Sequence, residues 1–177
     1  PEMVIRRLQD VERERVEWLW DGFLAKGKLA IIDGIPGAGK STLTAEIAAI
    51  VSSGREFPFA NKCEPTGVLF ISPEDGDADT IRPRVESAGG DLNLVHSGNS
   101  VITNGFSETL DLHRHLEQLR KKIEDLNIGL LVIDPIMALL GDRIDSHRDQ
   151  DVRKVTTPLS ALAEELKVTI VAVRHPN

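Results

Sequence analysis

Residues 34–41, Gly34-Ile35-Pro36-Gly37-Ala38-Gly39-Lys40-Ser41, set a glycine, four residues, and then Gly-Lys-Ser. That spacing suits one kind of chemistry. Glycines let the backbone fold tightly enough for consecutive amides to point at phosphate oxygens, and a helix beginning there adds its positive end. Lys40 is then placed to reach the β- and γ-phosphates, and the Ser41 hydroxyl to take a position on Mg²⁺. Read this way, the binding segment comprises Gly34, Ile35, Pro36, Gly37, Ala38, Gly39, Lys40, Ser41 and Thr42. A plain glycine turn that happens to contain a lysine is the competing reading. The apolar run before the loop and the amphipathic stretch after it favour the phosphate loop.

Leu130-Leu131-Val132-Ile133-Asp134 is four apolar residues ending in a carboxylate. A buried strand of this kind delivers Asp134 to the carboxyl edge of a sheet, where it can hold a water on Mg²⁺, the Walker B arrangement. Pro135 follows and cannot act as a base, so the carboxylate that polarises water must come from elsewhere. Glu74, in Ser72-Pro73-Glu74-Asp75-Gly76, stands just after another apolar run and is the candidate general base. The same residues also read as an acidic turn, with Asp75 or Asp77 capping the next helix. His175, after Val173-Arg174, is placed to hydrogen-bond a γ-phosphate and report its presence. A surface basic pair at a strand end is the alternative.

These groups need a scaffold that brings them to one edge. Apolar runs at 28–33, 68–71, 92–95, 129–134 and 168–173 read as five strands. Helical spacing covers 41–53, which stops at Gly54, and 77–88, where Pro83 bends the helix or delays its start. It also covers 108–126, with a stripe at Leu112, Leu116, Leu119, Ile123 and Leu126. A last helix is expected over 149–166, with Thr157 and Pro158 starting a fresh turn. Residues 54–66 read as a loop and 1–27 as a lead-in segment. Strands of nearly continuous Val, Ile and Leu, alternating with helices, imply a three-layer α/β sandwich around a mostly parallel sheet. Its ligand is expected at the carboxyl ends of the strands.

The 177 residues hold 21 Lys and Arg against 28 Asp and Glu, a net charge of −7. The length suits one domain with a real core. The acidic balance argues against a surface coated for nucleic acid, but leaves room for a basic loop or a channel built by several subunits. Cys63 is the one cysteine and cannot form an internal disulfide, so a reducing, cytoplasmic setting is expected. The apolar runs fall far short of the roughly 20 residues that span a bilayer, and the first residues lack the order of a signal peptide.

Taken in chain order, five features resemble the RepA-type ATPases: Trp18-Leu19-Trp20, the phosphate loop, residues 72–76 with Arg82-Pro83-Arg84, Asp134-Pro135, and Arg174-His175. These are RecA-like P-loop proteins of the AAA class, related to hexameric replicative helicases. The resemblance runs from about residue 16 to residue 177 and implies a RecA-like ATPase core over 28–177. It implies ATP with Mg²⁺, and a homo-oligomeric ring, a hexamer, with ATP between subunits. By position it makes Lys40 and Ser41 the Walker A pair, Glu74 the catalytic glutamate, Asp134 the Walker B aspartate and His175 a histidine sensor. Lys40, Glu74 and His175 are thus the expected catalytic set, with Ser41 and Asp134 facing the metal. It also brings single-stranded DNA as a partner, and a DNA-facing loop, further strands and an arginine finger after the histidine. None of these follows within 177 residues, so a core truncated at its C-terminus is expected.

The function expected is Mg²⁺-dependent ATP binding and hydrolysis by a helicase-related ATPase in DNA replication or mobile-element maintenance. An ATP-gated switch or loader with little turnover is the alternative. A small-molecule kinase ranks below both, because only scattered arginines lie between the last two strands. Asp142, Asp145, His147, Asp149 and Asp151 have a metal-like spacing, yet the interspersed Arg143 and Arg148 favour a solvated loop. His113, Arg114, His115, Arg120, Lys121 and Lys122 read as an exposed helix face. Trp18, Trp20 and Phe23 are expected to pack at the sheet edge, and Cys63 lacks a basic neighbour that would make it reactive.

Overall fold

The strand sequences have no polar face, and that decides what must surround them: a sheet covered on both sides. The computed structural model describes residues 3–60, 62–139 and 149–175. In chain order it contains β1 (Trp18–Trp20), β2 (Leu24–Ala25), β3 (Leu29–Asp33), α1 (Lys40–Ser53) and β4 (Gly67–Ile71). A π-helical turn (Asp77–Ile81) leads into α2 (Arg82–Ser87), followed by β5 (Val95–Ser97), β6 (Ser100–Thr103) and β7 (Phe106–Thr109). Then come α3 (Leu116–Asp125), β8 (Ile128–Ile133), a 3-10 turn (Ile136–Leu139), α4 (Asp149–Leu166) and β9 (Thr169–Arg174).

Five strands form the central sheet in the order β3-β9-β8-β4-β5, all parallel. Side chains along β8 alternate between its faces. Leu130 and Val132 join Ile47, Ile50 and Val51 of α1 and Val85 of α2, whereas Leu131 and Ile133 join Leu119 and Ile123 of α3 and Leu159 and Leu162 of α4. The result is a three-layer α/β sandwich, the RecA-like P-loop arrangement expected. Among the described residues no helix is long and apolar enough to cross a membrane. Residues 3–18 are exposed throughout, but Leu19 and Leu24 of the β1–β2 hairpin are buried in the α1 side of the core.

Several expected boundaries move. Residues 106–115 are not helical: 106–109 form β7, which pairs antiparallel with β6. The hairpin turns on Asn104 and Gly105, both at positive φ (52° and 83°), the Asn-Gly signature of a tight two-residue turn. Leu112 is buried but sits ahead of α3, its amide bonded to the Leu139 carbonyl at 3.1 Å, and Leu126 is exposed. His115 is also buried rather than on a solvated face. Its Nδ1 accepts from the Asp111 amide at 3.0 Å and its Nε2 lies 3.4 Å from Glu108.

The strand expected at 92–95 is Val95–Ser97, because Leu92 and Leu94 belong to the turn that follows α2. Pro158 starts no new turn. It lies inside a continuous α4, where Val155, Leu159 and Leu162 are all buried, so packing on both sides of the proline outweighs the one backbone bond it forfeits. Pro83, in contrast, falls within the first two residues of α2, and the π-helical turn precedes it. Of the aromatic group, Trp20 stacks on Phe57 at 4.9 Å with Nε1 donating to the Pro58 carbonyl, and Phe23, though largely exposed, lies against Trp20 at 4.6 Å; Trp18 is exposed. The acidic segment 141–148 lies outside the described residues.

Candidate phosphate and metal site

The loop between β3 and α1 is shaped by backbone conformation rather than crowding. Gly37 and Gly39 sit at φ 78° and 82°, and a Cβ added at either would meet nothing within 4 Å. It is the left-handed conformation that asks for glycine there. Gly39 is the N-cap of α1, with no side-chain cap bond, so the first amides of a 14-residue helix remain open to an anion. Lys40 is buried, and its Nζ donates to the carbonyls of Gly34 (2.6 Å) and Ile35 (2.9 Å). The loop thus holds its own lysine, an ammonium for which a phosphate would compete. Ser41 is half-buried and Thr42 exposed.

Asp134 lies one step past β8. Its amide donates to the Ile71 carbonyl at 3.0 Å, and its own carbonyl accepts from Ser72 Oγ at 2.7 Å. Its residue is only 5% exposed, yet its ionic partner, His175 Nε2, stands 3.8 Å from Oδ1, beyond hydrogen-bond length. Ser41, Ser72, Asp75, Arg84 and Asp134 line one small cleft between α1 and the ends of β4 and β8. Hydroxyl and carboxylate oxygens are the donors Mg²⁺ prefers. Among the described residues no three His, Cys, Asp or Glu side chains gather as a metal cage. Mg²⁺ commonly takes one or two protein carboxylates and the rest of its ligands from phosphate and water. Bound there, such an ion would supply positive charge against phosphate oxygens; Ser41 and Asp134 are the residues that would hold it.

The edge thus gathers Lys40, Ser41, Asp134 and His175. Glu74 stands in the same loop as Asp75 but is exposed, and Asp75 is the carboxylate lining the cleft, where Arg84 Nη1 donates to its Oδ2 at 3.0 Å. Asp33 and Arg174, in register across β3 and β9, form an ion pair with Nε 3.0 Å from Oδ2. The arginine's hydrogen bonds hold the Asp33 carboxyl below its ordinary value. Sequence reading missed Asp33 and Ser72 and weighed Asp75 only as a cap. For Asp33 the signal was present: it is the last residue of the strand feeding the loop.

A buried parallel sheet, a Gly-Lys-Ser loop at its carboxyl edge and an aspartate after a separate strand define a P-loop nucleotide-binding protein. The sequence matches the AAA domain family AAA_25 across residues 1–177, and the chain belongs to that family. It is a RecA-like P-loop ATPase. Among similar proteins is the DNA repair protein RadA of Aquifex aeolicus (strain VF5), 27% identical over 149 residues, or 83% of this chain and 28% of that protein. RadA of Streptococcus pneumoniae (strain ATCC BAA-255 / R6) is 26% identical over 166 residues, 93% of this chain and 34% of that protein. RadA of Mycobacterium tuberculosis (strain ATCC 25618 / H37Rv) is 28% identical over 157 residues, 87% and 28% respectively. The chain therefore spans about a third of the length of these curated relatives.

Proposed function

We propose that this chain is the Mg²⁺-dependent, ATP-hydrolysing core of a RepA-type, replicative-helicase-related motor that acts on DNA in replication or mobile-element maintenance. The observation that carries the reading is the shared edge: Lys40 held by carbonyls of its own loop, with Ser41 and Asp134 lining one small cleft. That the relatives are named DNA repair proteins supports work on DNA. In this reading Lys40 and the loop amides bind the phosphates, Glu74 orients water, and His175, beside Asp134, senses the γ-phosphate. The full protein would assemble as a ring, a hexamer, with single-stranded DNA as partner. An arginine supplied by a neighbour is worth orders of magnitude in rate, so the isolated core turns over slowly.

A second reading, an ATP-gated switch or loader with little turnover, is favoured by one observation: Glu74 is exposed and Asp75 is already engaged by Arg84. Steady-state ATP hydrolysis across protein concentrations, with and without single-stranded DNA, separates the two. A rate that rises faster than linearly, responds to DNA and is lost in Glu74→Gln supports the motor. Tight ATP binding with no turnover supports the switch, and no ATP binding at all sinks both.

A further inference from the structure

At the carboxyl edge, two side chains continue the sheet's hydrogen bonding after its strands have ended. The β4–β8 ladder finishes at the pair Ile71 and Ile133, and the β4–β5 ladder at Phe70 and Ser97. One step further, the Asp134 amide still bonds the Ile71 carbonyl, and the Gly98 amide bonds the Phe70 carbonyl, both at 3.0 Å. Beyond that no ladder partner remains, and side chains take over. Ser72, only 2% exposed, donates its hydroxyl to the Asp134 carbonyl at 2.7 Å, and its amide donates to Asn99 Oδ1, also at 2.7 Å. The Asp134 backbone is thereby clamped at its amide by the last residue of β4, Ile71, and at its carbonyl by the next residue, Ser72.

Asn99 has a second attachment. Its carbonyl accepts from the Leu110 amide at 3.0 Å, which closes the base of the β6–β7 hairpin. The hairpin has no place in the central sheet and leaves Ile102 and Phe106 exposed, 77% and 78%. One asparagine therefore joins the base of a protruding hairpin to Ser72, the residue whose hydroxyl holds the Asp134 carbonyl.

We infer that Ser72 and Asn99 are positioning residues for Asp134, and that through them the β6–β7 hairpin is coupled to nucleotide and metal at the site. The inference rests on the reading of the edge as an ATP·Mg²⁺ site. A buried bond one shell out from a metal-facing group is the kind of contact whose loss typically weakens metal affinity 10–100-fold. The geometry assigns Ser72 the direct hold on Asp134, and Asn99 the hold on Ser72 and on the hairpin.

The test compares the unaltered chain with Ser72→Ala, Asn99→Ala and Asn99→Asp, the last keeping an acceptor for the Ser72 amide. Binding of a fluorescent ATP analogue is titrated in EDTA and against Mg²⁺, and hydrogen exchange of residues 100–109 is followed with and without Mg²⁺ and nucleotide. Circular dichroism first confirms that each variant is folded. The expected result is unchanged binding in EDTA, about a tenfold rise in the Mg²⁺ needed for half-saturation in the two alanine variants, and recovery in Asn99→Asp. Protection of the hairpin by Mg²⁺ and nucleotide is expected in the unaltered chain and lost in Asn99→Ala. A purely structural role would lower melting temperature without moving the Mg²⁺ dependence. Folded alanine variants with unchanged Mg²⁺ half-saturation, or a hairpin indifferent to ligand in the unaltered chain, would overturn the coupling while leaving the site intact. No nucleotide binding by the unaltered chain would sink the site reading itself, and this inference with it.

Discussion

Lys40→Met separates a phosphate-binding lysine from a structural one. Without ligand, the buried ammonium makes two bonds, to Gly34 and Ile35 carbonyls at 2.6 and 2.9 Å. Bonds to a charged group are worth about 1.5–3 kcal/mol each, but burying the ammonium costs several kcal/mol, so the terms oppose. Ile35 is 71% exposed, which leaves its carbonyl able to take water instead. The net change in the ligand-free protein is expected within about 1 kcal/mol, or roughly 2–4 °C in melting temperature for a chain of this size. With ligand the balance differs. Nucleotide at about 100 times its dissociation constant stabilises the native state by about 2.7 kcal/mol, an upward shift of roughly 5–11 °C. If losing the lysine weakens binding about a hundredfold, the same concentration gives only about 0.4 kcal/mol, a shift near 1 °C. Thermal scans of both proteins, with and without Mg²⁺ and a non-hydrolysable ATP analogue, check this. A variant that keeps the full ligand shift would refute the phosphate role. One that melts far lower without ligand would show that the two carbonyl bonds matter chiefly to the fold.

Other expectations are equally direct. Leu131→Ala removes a fully buried side chain from β8 and is expected to cost about 2–5 kcal/mol in urea unfolding; a loss below about 1 kcal/mol would mean the α3 and α4 side is loosely packed. Asp33, Glu108 and Glu164 are held below their ordinary values by hydrogen bonds from Arg174, Thr103 and Lys28 respectively. Since folding depresses these values, their stabilisation is present above the unfolded values near pH 4 and is lost as pH falls through the folded ones. Urea midpoints should therefore drop on acidification below about pH 5, and less steeply in high salt; a midpoint that rises there contradicts the three pairings. Cys63 is half-buried and burial pushes its thiol up, so alkylation by iodoacetamide at neutral pH should be several-fold slower than in the urea-unfolded chain. Equal rates would place the thiol in open solvent.

What could be read in the sequence was what is local. The phosphate loop, the helix after it and four of the five central strands follow from residue type and spacing over a few positions, because β-strands buried on both faces have no choice but to be apolar. Asp134 was legible for the same reason, as the first polar residue after such a run. The helix expected from residue 108 failed because Leu112, Leu116 and Leu119 mimic a helical stripe, although Leu112 reaches the core from a turn. Asn104-Gly105 was the competing signal, and its backbone conformation won. Pro158 misled in the opposite direction, since its tolerance depends on Val155, Leu159 and Leu162 being buried together, which no local rule contains. Ser72 and Asn99 were invisible because their partners lie 62 and 27 residues away in the chain.

Strand order explains how these distant pieces meet. β9 stands between β3, which feeds the phosphate loop, and β8, which carries Asp134. With strands about 4.8 Å apart, the loop's strand and the aspartate's strand are separated by about 10 Å, and the residues ending β9 emerge between them. Arg174 pairs with Asp33 on the loop side, whereas His175 lies 3.8 Å from Asp134 on the other. Consecutive residues of one strand end thus contact both halves of the site, and a shift of Asp134 relative to the loop must alter one of the two contacts. The row continues outward through Ser72 to Asn99 and the β6–β7 hairpin. In space it runs from Asp33 through residues 174–175, Asp134 and Ser72 to Asn99, an order the chain never follows. The row of side chains from the loop to the hairpin is thus brought together by the parallel topology rather than by any segment of sequence.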